Sequence, residues 1–389
     1  MKILILSFYY PPDIGPGPLR AKSIAETLKN IKFKEKVEID VFTTMPNRYG
    51  SIKTTAPKLE QISNLSIHRF KIPAHKNGMI DQSFSFLRFA FSVLVSSRNQ
   101  NWDIIIATSS RLMTASLGAY IAYKKKAKLY LDIRDLFVDT ISQVLSNKIS
   151  ILIIPPLKIV EKITFSSANK INIVSEGFLK YILNYLPISR ITTFPNGIDS
   201  KYISDKRFYQ KFNDPIRITY AGNIGDGQGL HKIIPKIAKT FGDKISFKII
   251  GDGSKKKFLI EEIKNNKIFN VEFHKPISRD KLIKIYNHSD ILFLHLNEFN
   301  AFKKVLPSKI FDYALTNKPI LAGVSGYASD FLKKNLPGVE IFRPCDITNM
   351  KIAFEKILNG PNFYDRKNFR IKFNRQSIIQ KFCKNVLSL

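Results

Sequence analysis

The sequence predicts an α/β protein made of two doubly wound, Rossmann-like domains with parallel sheets. Short apolar, β-branched runs alternate with longer segments of helical periodicity, which is typical of parallel βα units. The alternation stops near the turn-rich stretch Phe194–Asp199 and then starts again. A chain of 389 residues is long enough for two domains of ordinary size.

The predicted strands are short runs rich in isoleucine, leucine, valine and phenylalanine. In the first half of the chain they are Lys2–Ser7, Ile39–Thr43, Ile67–Ile72, Asp103–Ala107, Lys128–Ile133 and Lys170–Val174. In the second half they are Ile216–Ala221, Lys244–Ile250, Asn270–Phe273, Asp290–Leu294 and Pro319–Ala322.

Segments of helical periodicity separate many of these strands. In the first half they are Pro18–Lys29, Arg111–Tyr123, Leu157–Phe165 and Glu176–Tyr185. In the second half they are Leu230–Phe241, Lys255–Lys264, Arg279–Asn287 and Ser308–Leu315, and a basic helix over Arg375–Leu387 ends the chain.

The domain boundary is predicted at the turn-rich stretch that separates the two runs of βα units. We expect a first domain over residues 1–198, a second over 199–366, and a helical segment over 367–389 that packs back on the first. Ligands of open α/β sheets bind beyond the carboxyl ends of the strands. Two facing domains therefore predict a site in the cleft between them.

The charge of the chain is strongly basic, with 62 Lys and Arg against 31 Asp and Glu and a net charge of +31. Such an excess attracts nucleic acid, anionic lipid or phosphorylated substrates. The basic residues are spread over both halves and no nucleic-acid-binding motif is present, so a nucleic-acid-binding protein is the weaker interpretation. A hydrophobic content of 44% excludes a disordered scaffold.

The cysteine content and the first residues indicate the cellular compartment of the protein. Cys345 and Cys383 are too few for a disulfide framework and fit a reducing environment. The apolar run in Met1–Ser7 is too short for a signal peptide, and no run approaches the roughly 18 apolar residues of a membrane span. We expect a cytoplasmic protein.

Glycine-rich loops follow several predicted strands. Gly15 and Gly17 lie between the first strand and a helix, where backbone N–H groups and the helix dipole favour an anion. A plain turn explains that loop equally well. The segment Gly222–Gly229, and then Gly251 with Gly253, repeat the pattern in the second half. Together the loops fit an extended phosphorylated ligand better than chance turns do.

A Lys/Asp pair follows Pro307, a residue that can start a helix. Lys309 and Asp312 are three positions apart and would share one helix face. A carboxylate there can accept hydrogen bonds from a ribose diol, and an ammonium can neutralise a phosphate. Taken alone, such a pair is far more often a surface ion pair.

In this order and spacing, the motifs resemble the retaining nucleotide-sugar glycosyltransferases of family 4, which have the GT-B architecture of two facing Rossmann-like domains. The resemblance covers essentially the whole chain and is closest to bacterial enzymes of O-antigen and capsule assembly, including N-acetylfucosamine-transferase-like members. It is carried by the Gly15/Gly17 loop, Ile133–Leu136, Val174–Phe178, Pro195–Asp199, Gly222–Gly229, Gly251–Gly253 and Pro307–Asp312.

The resemblance implies a retaining transfer of an N-acetylated hexosamine or deoxyhexosamine from a UDP-sugar. The acceptor would be a polyprenyl-diphosphate-linked or growing glycan of a bacterial surface polysaccharide. No metal or other cofactor is expected, since the sequence has no Asp-x-Asp and its six histidines lack close ligand spacing. A nucleotide-sugar epimerase of the same fold is the alternative.

The resemblance also assigns site residues. The expected donor-binding residues are Gly15, Gly17, Asn223, Gln228, Gly251, Gly253, Lys309, and Asp312 for the ribose. Glu298 follows the predicted strand Asp290–Leu294 and is a donor-binding candidate for the sugar, although loop exposure explains it equally well. The expected catalytic residues, near the sugar or the acceptor, are Gly17, Arg134 and Asp135.

Three departures from the family pattern affect these assignments. Asp312 stands where a glutamate usually holds the ribose, and Lys304 stands at the position of a second glutamate. Asn223 and Gln228 replace an arginine and a lysine that usually bind the pyrophosphate, so backbone amides and nearby lysines must compensate. In the first half, an Arg-Asp pair occupies the place of the family's His-Asp pair.

A separate signal favours a membrane partner. Phe84–Val95 is apolar almost all round, contains Arg88, and belongs to the same half as Lys124–Lys126. An aromatic helix with basic flanks can lie in a bilayer interface, although a buried core helix is an equal alternative. We expect a peripheral protein on the inner face of the cell membrane. The residues expected at the anionic membrane or the acceptor are Phe86, Phe89, Arg88 and Lys125.

Overall fold

The computed structural model describes residues 1–48, 54–73, 79–109, 111–145, 147–203 and 212–389. The chain divides into two compact units, one formed by Met1–Asn196 with Gln376–Leu389 and the other by Gly197–Arg375. Each unit is built on a largely parallel sheet whose strands are joined by helices. The predicted α/β fold with two Rossmann-like units is confirmed.

The strands of the first unit are β1 (Lys2–Leu6), β2 (Glu38–Thr44), β3 (Leu59–Ile62), β4 (Leu65–Phe70), β5 (Ile104–Ser109), β6 (Lys128–Ile133), β7 (Lys170–Ile173) and β8 (Ile191–Thr193). Among the described residues they form one sheet in the order β3-β4-β2-β1-β5-β6-β7-β8. β3 runs antiparallel to β4, whereas the neighbouring pair β4 and β2 is parallel. The sequence does not predict β3 or β8, because these edge strands are short and partly polar.

The helices of the first unit are α1 (Pro16–Asn30), α2 (Met79–Ser97), α3 (Leu112–Lys125), α4 (Phe137–Val144), α5 (Asn147–Ser166) and α6 (Leu179–Ile182). The sequence predicts that α5 begins after Pro156, but the helix continues through Pro155 and Pro156. Each proline removes one backbone donor from the helix. Packing of α5 against α4 and α3 compensates for that loss.

A buried ion pair holds the centre of the first unit together. Arg20 on α1 donates to both carboxylate oxygens of Asp132 on β6, at 2.8 and 2.9 Å. Asn172 also donates to Asp132, and Arg20 donates to the carbonyls of Phe194 and Pro195. A buried charge pair needs such additional partners to offset its desolvation. The network therefore ties α1, two strands and the last residues before the second unit to one another.

Helix α2 packs one side against the sheet. Phe86 is 7% exposed and Phe89 0%, and both rings lie against Phe8. The prediction that Phe86 and Phe89 face a membrane is therefore wrong: they are core residues. Phe84 and Phe91 on the same helix are 68% and 60% exposed. The sequence left this orientation open because the helix is apolar on nearly every side.

The strands of the second unit are β9 (Ile216–Ala221), β10 (Ile245–Ile250), β11 (Val271–His274), β12 (Ile291–His295), β13 (Ile320–Gly323) and β14 (Val339–Phe342). Among the described residues they form a parallel sheet in the order β11-β10-β9-β12-β13-β14. The helices of this unit are α7 (Leu230–Phe241), α8 (Lys256–Asn265), α9 (Arg279–His288), α10 (Lys309–Tyr313), α11 (Tyr327–Asn335), α12 (Ile347–Asn359) and α13 (Lys367–Lys372).

The end of the chain differs from the predicted boundary after residue 366. Helix α13 lies in the second unit, because Phe369 and Phe373 pack with Phe311 and Phe331 of that unit. Residues Gln376–Leu389, which form most of α14 (Arg375–Leu387), belong to the first unit.

No helix within the described residues is long and apolar enough to cross a membrane.

Candidate functional site

The loop after β9 needs glycine at both of its ends. Gly222 has φ +147° where the strand ends, and Gly229 has φ +59° just before α7 begins at Leu230. L side chains rarely adopt these conformations. Between the two glycines, Asp226–Gln228 form one turn of 3₁₀ helix. The loop therefore delivers the chain from the end of a strand to the N-terminus of α7, as the sequence predicts.

The second glycine loop of this unit packs directly on the first. A Cβ atom on Gly251 would lie 1.9 Å from the carbonyl oxygen of Gly222, and one on Gly253 would lie 2.5 Å from that of Ile224. Two backbone hydrogen bonds join the loops: Gly222 N–H donates to the Ile250 carbonyl, and Ile224 N–H donates to the Asp252 carbonyl. Close backbone packing accounts for Gly251 and Gly253 without any contact to a ligand.

Asn223 and Gln228 are hydrogen-bonded to each other within the loop after β9. The Asn223 Nδ2 amide donates to Gln228 Oε1 at 2.8 Å, and the same oxygen accepts the backbone N–H of Gly225 at 3.3 Å. Two neutral amides cannot supply the charge that an arginine and a lysine would supply. Their mutual bond gives the loop a defined shape instead.

Lys309 supplies a positive charge at this loop. Its side chain lies against Gly222, where a Cβ atom would come within 2.6 Å of the ammonium nitrogen, and that nitrogen lies 4.9 Å from the centre of the Tyr220 ring. Surrounding protein desolvates the ammonium and lowers the pKa of Lys309 to about 8, although Asp312 acts in the opposite direction. The structure thus brings Lys309 and the loop after β9 together, as predicted.

Asp312 is engaged by an arginine that the sequence analysis does not single out. Arg279 Nη2, at the start of α9, donates to Asp312 Oδ1 at 2.7 Å. The guanidinium carbon also lies 5.0 Å from the centre of the Tyr202 ring. Both members of the pair are largely shielded from water, with side-chain exposures of 16% and 26%. Asp312 is therefore held in one orientation.

Glu298 lies in an exposed ion pair, not in a recess. The Arg343 guanidinium donates to Glu298 Oε1 at 2.8 and 2.7 Å, and the two side chains are 67% and 44% exposed. This surface pair accounts for Glu298 without a sugar.

His295 hydrogen-bonds to the backbone of the loop after β9. Its Nδ1 donates to the carbonyl of Gln228 at 2.6 Å, and its Nε2 accepts the backbone N–H of Cys345 at 3.0 Å. The next polar residue, Asn297, donates from Nδ2 to the carbonyl of Asp226 at 2.8 Å. Burial lowers the pKa of His295 to about 4, so the ring is neutral at physiological pH. Two side chains, one at the end of β12 and one two residues later, thereby hold the backbone of the 3₁₀ turn in place.

In the first unit, two arginines cover the glycines of the loop after β1. A Cβ atom on Gly17 would lie 2.3 Å from Arg134 Nη1, and one on Gly15, at φ +141°, would lie 2.8 Å from Arg48 Cζ. Burial lowers the pKa of Arg134 to about 10, which still leaves it charged at neutral pH. The glycines thus make room for guanidinium groups as well as for the turn.

A third arginine extends this cluster around an aromatic ring. Arg111 Nη2 donates to the Tyr9 hydroxyl at 3.0 Å. The guanidinium carbons of Arg111 and Arg48 each lie 5.4 Å from the centre of the Tyr9 ring. We call Arg48, Arg111 and Arg134 the arginine cluster.

Asp135 has an exposed side chain next to the arginine cluster. Glu161 lines the same small pocket as Asp135. It is 1% exposed and accepts the Tyr181 hydroxyl at 2.9 Å, and burial raises its pKa to about 7.

Sequence patterns do not predict five residues of these sites, namely Arg48, Arg111, Arg279, His295 and Glu161. A usable signal exists for three of them, since Arg48, Arg111 and His295 lie at or shortly after the carboxyl ends of β2, β5 and β12. Functional groups of α/β sheets gather at those ends. Arg279 and Glu161 lie on helices, and only the packing reveals their partners.

Among the described residues, no three His, Cys, Asp or Glu side chains are grouped so that they could hold a metal ion.

The second unit contains a segment that matches a known protein family. Residues 203–373 match the family described as Glycosyl transferases group 1. This segment covers most of Gly197–Arg375. The second unit is therefore similar to group 1 glycosyltransferase domains. No curated protein sequence is significantly similar to the chain as a whole.

Solved structures resemble the whole chain. Sucrose-phosphate synthase from Thermosynechococcus elongatus has a TM-score of 0.75 at 14% identity, over 100% of this chain and 98% of that one. HepE of Anabaena in complex with UDP-glucose has a TM-score of 0.67 at 14% identity, over 100% and 99%. WaaG, a glycosyltransferase involved in lipopolysaccharide biosynthesis, has a TM-score of 0.67 at 13% identity, over 99% of each chain. These likenesses show the GT-B fold.

Proposed function

We propose that the protein is a retaining, metal-independent glycosyltransferase that uses a UDP-sugar donor. The observation that carries this proposal is the joint position of Lys309 and the loop after β9. The Lys309 ammonium lies over Gly222, and the loop leads into the N-terminus of α7. A helix N-terminus and a partly desolvated ammonium both favour phosphate. The group 1 glycosyltransferase match and the fold shared with HepE, whose structure holds UDP-glucose, support the same donor.

The difficult step in such a transfer is departure of the nucleoside diphosphate. Negative charge develops on the phosphate oxygen as the bond to the anomeric carbon breaks. In our proposal Lys309 and the N-terminus of α7 stabilise this negative charge. Asn223 and Gln228 shape the loop around the diphosphate. Asp312, oriented by Arg279 at 2.7 Å, receives the ribose. Each of these groups is held in place before the donor binds, which reduces the reorganisation needed in the transition state.

For the acceptor we propose a glycan carried on a polyprenyl diphosphate in bacterial surface polysaccharide synthesis. The arginine cluster suits a diphosphate, because guanidinium groups donate paired hydrogen bonds to phosphate oxygens. Asp135 lies beside this cluster with an exposed carboxyl group that can receive an acceptor hydroxyl. The fold shared with WaaG, which acts in lipopolysaccharide biosynthesis, supports this class of acceptor.

We further propose that the first unit docks on the cytoplasmic membrane through the outer side of α2. Phe84, Leu87, Phe91 and Val95 follow one another at helical spacing and are 68%, 62%, 60% and 43% exposed. We call them the α2 stripe. Arg88 lies 6.0 Å from the Phe91 ring centre. Aromatic side chains with basic neighbours suit an anionic bilayer surface.

The helices beside α2 extend this surface. α3 packs against both α2 and α5. On α5, Ile151, Leu152, Ile159 and Ile163 are between 62% and 79% exposed. Lys124 at the end of α3 lies 5.8 Å from the Tyr120 ring centre, and Lys125 donates to the carbonyl of Arg98. Apolar area and positive charge thus occur together on neighbouring helices.

The alternative function is epimerisation of a nucleotide sugar on the same fold. The match of residues 203–373 to a glycosyltransferase family favours transfer. Incubation with a UDP-sugar alone separates the two: an epimerase forms a new sugar nucleotide without an acceptor, whereas a transferase does not.

Thermal unfolding with UDP-, GDP-, dTDP- and ADP-sugars in EDTA tests the donor. Binding to the native state raises the free energy of unfolding by about 2.7 kcal/mol at a hundredfold excess over Kd. We expect UDP and UDP-sugars to raise Tm without added metal. A shift that requires a divalent cation would overturn the metal-independent mechanism, and a shift confined to another nucleotide would overturn the donor assignment.

A further inference from the structure

The first unit contains a pocket of about 350 Å³ beside the loop after β1. One wall is α1, the opposite wall is the hairpin of β3 and β4, and Pro11 and Pro12 close one end. Small-molecule sites have volumes from about 300 to 1,000 Å³. The pocket is distinct from the glycine loops after β9 and β10, which belong to the other unit.

Strand pairing gives this pocket an apolar floor. Leu65, Ile67 and Arg69 alternate along β4 with side chains on the buried face of the strand. The antiparallel register places Glu60 of β3 opposite Ile67, and Ile62 opposite Leu65. Alternate residues of a strand point to the same face. The hairpin therefore presents both apolar and charged groups to one space.

The α1 wall is charged. Glu26 and Lys29 lie on the face of α1 that lines the pocket, and Lys22 lies one turn before Glu26, 3.5 Å from it. Across the pocket, Arg69 lies 2.8 Å from Glu60. Because the acids and bases are largely paired with each other, the pocket has no large excess of either sign. Its carboxylates remain acceptors for further donors.

Tyr10 supplies a hydroxyl to this pocket. The residue is only 4% exposed and its ring belongs to the core of the unit. In the described part of the chain its hydroxyl has no hydrogen-bond partner. Glu26, Glu60 and Arg69 are the charged groups whose electrostatic field affects the pKa of that hydroxyl. The hydroxyl oxygen is not among the buried side-chain atoms that lack a partner, so it is open to the space of the pocket. The hydroxyl is therefore available to a ligand in the pocket.

We propose that the pocket binds a neutral sugar ring. This ring belongs to the acceptor glycan, at a distance from the reacting hydroxyl; that second part of the proposal rests on the proposed function. A sugar ring presents apolar C–H faces and a rim of hydroxyl groups. Pro11, Pro57 and Ile62 line the pocket and can cover the faces. The carboxylates of Glu26 and Glu60 accept from ring hydroxyls, and the Tyr10 hydroxyl donates or accepts.

Direct binding of saccharides to the full-length protein, without nucleotide, tests this proposal. The probes are methyl glycosides of glucose, galactose, N-acetylglucosamine and fucose, and their disaccharides, measured by saturation-transfer NMR and titration. We expect saturable binding to the wild type. Absence of binding by every probe would overturn the proposal. UDP binding, measured separately, reports on the donor site, so failure of the proposed function is recognised independently.

Two variants assign the binding to this pocket. Tyr10→Phe should weaken saccharide binding about tenfold, because one hydrogen bond is lost. Its Tm should stay unchanged, since the hydroxyl has no hydrogen-bond partner in the described part of the chain. Glu26→Gln, at a side chain that is 48% exposed, should also weaken binding. Tyr123→Phe, 80% exposed on α3, is the matched control.

Unchanged saccharide affinity in Tyr10→Phe would overturn the pocket as the site. A fall in the Tm of Tyr10→Phe would assign the hydroxyl a structural role. In that case Glu26→Gln decides, and wild-type saccharide affinity in Glu26→Gln would overturn the proposal.

Discussion

Arg279 donates to Asp312 across 2.7 Å, so the carboxylate proposed to receive the ribose is already oriented by a guanidinium group. The two residues lie at the start of α9 and within α10, respectively. A carboxylate has two oxygens, and the bond to Oδ1 leaves Oδ2 to accept a ribose hydroxyl. Asp is one methylene shorter than Glu, and Arg279 compensates by fixing the direction of the shorter side chain.

Asp312→Ala should weaken UDP binding by about 10- to 100-fold in a folded protein, because a charged hydrogen-bond acceptor contributes about 1.5 to 3 kcal/mol. Arg279→Met should weaken it less, since the carboxylate remains but loses its orientation. Calorimetric titration with UDP measures both effects, and circular dichroism checks the fold. Asp330→Ala, an exposed site on α11, is the control. Wild-type affinity in Asp312→Ala would place the ribose elsewhere.

The affinity for UDP should depend on the protonation of Lys309. With a pKa of about 8, its ammonium is charged at pH 7 and loses its proton as the pH rises to 9. The terminal phosphate, with a pKa of about 6, is already ionised over this range. The Kd for UDP should therefore increase by up to about tenfold per pH unit above 8.

The variant Lys309→Met separates this lysine from other titrating groups. It should bind UDP more weakly at pH 7 and show a flatter dependence between pH 7 and 9. Titrations at fixed ionic strength measure both. The same pH dependence in Lys309→Met and in the wild type would show that another group is responsible.

The buried ring of His295 should make the protein sensitive to acid. Its pKa is about 4 in the folded state, below the ordinary value of 6.5. Above pH 6.5 the imidazole is neutral in both states and its contribution to stability is fully present. As the pH falls from 6.5 to 4, the unfolded state takes up a proton that the folded state does not. The free energy of unfolding should fall by as much as about 3 kcal/mol over that window.

His295→Asn keeps a side-chain donor but removes the titrating group. This variant should be less stable than the wild type at pH 7, and the difference should shrink as the pH approaches 4.5. Urea unfolding at a series of pH values provides the comparison. A difference that is constant with pH would contradict the buried neutral imidazole.

Membrane binding should depend on the α2 stripe and not on the core phenylalanines of the same helix. Full burial of one such side chain contributes about 1.5 to 3 kcal/mol. Phe84→Ser combined with Phe91→Ser should reduce sedimentation with vesicles of anionic lipid at least tenfold, and should leave Tm and UDP binding nearly unchanged. High salt should weaken the remaining association through the basic residues, at about 1 kcal/mol for each.

Phe269→Ser is the matched control for this test, because Phe269 is 90% exposed on the second unit. It should not change vesicle binding. Equal loss of binding in the control and the α2 variant, or no loss in either, would contradict docking through α2. Phe86→Ser should instead lower Tm, since that ring is buried against Phe8.

The sequence by itself determined the α/β class, the positions of most strands, and the glycine loops at Gly15 and Gly222. These features are local: apolar periodicity selects strand or helix, and a backbone turn between the two selects glycine. Asn223 and Gln228, which the sequence predicts at the diphosphate, hydrogen-bond to each other, because both side chains belong to one short loop whose geometry depends on nearby residues.

Only the tertiary structure decided which distant residues meet. Sheet order carries Arg48 to Gly15 and Arg134 to Gly17, and helix packing brings Arg279 to Asp312 across 33 positions of the chain. It also turned Phe86 and Phe89 inward, because α2 is apolar on nearly every side and its sequence does not specify the buried face. Such contacts depend on the position of the neighbouring strand or helix, which local periodicity does not encode.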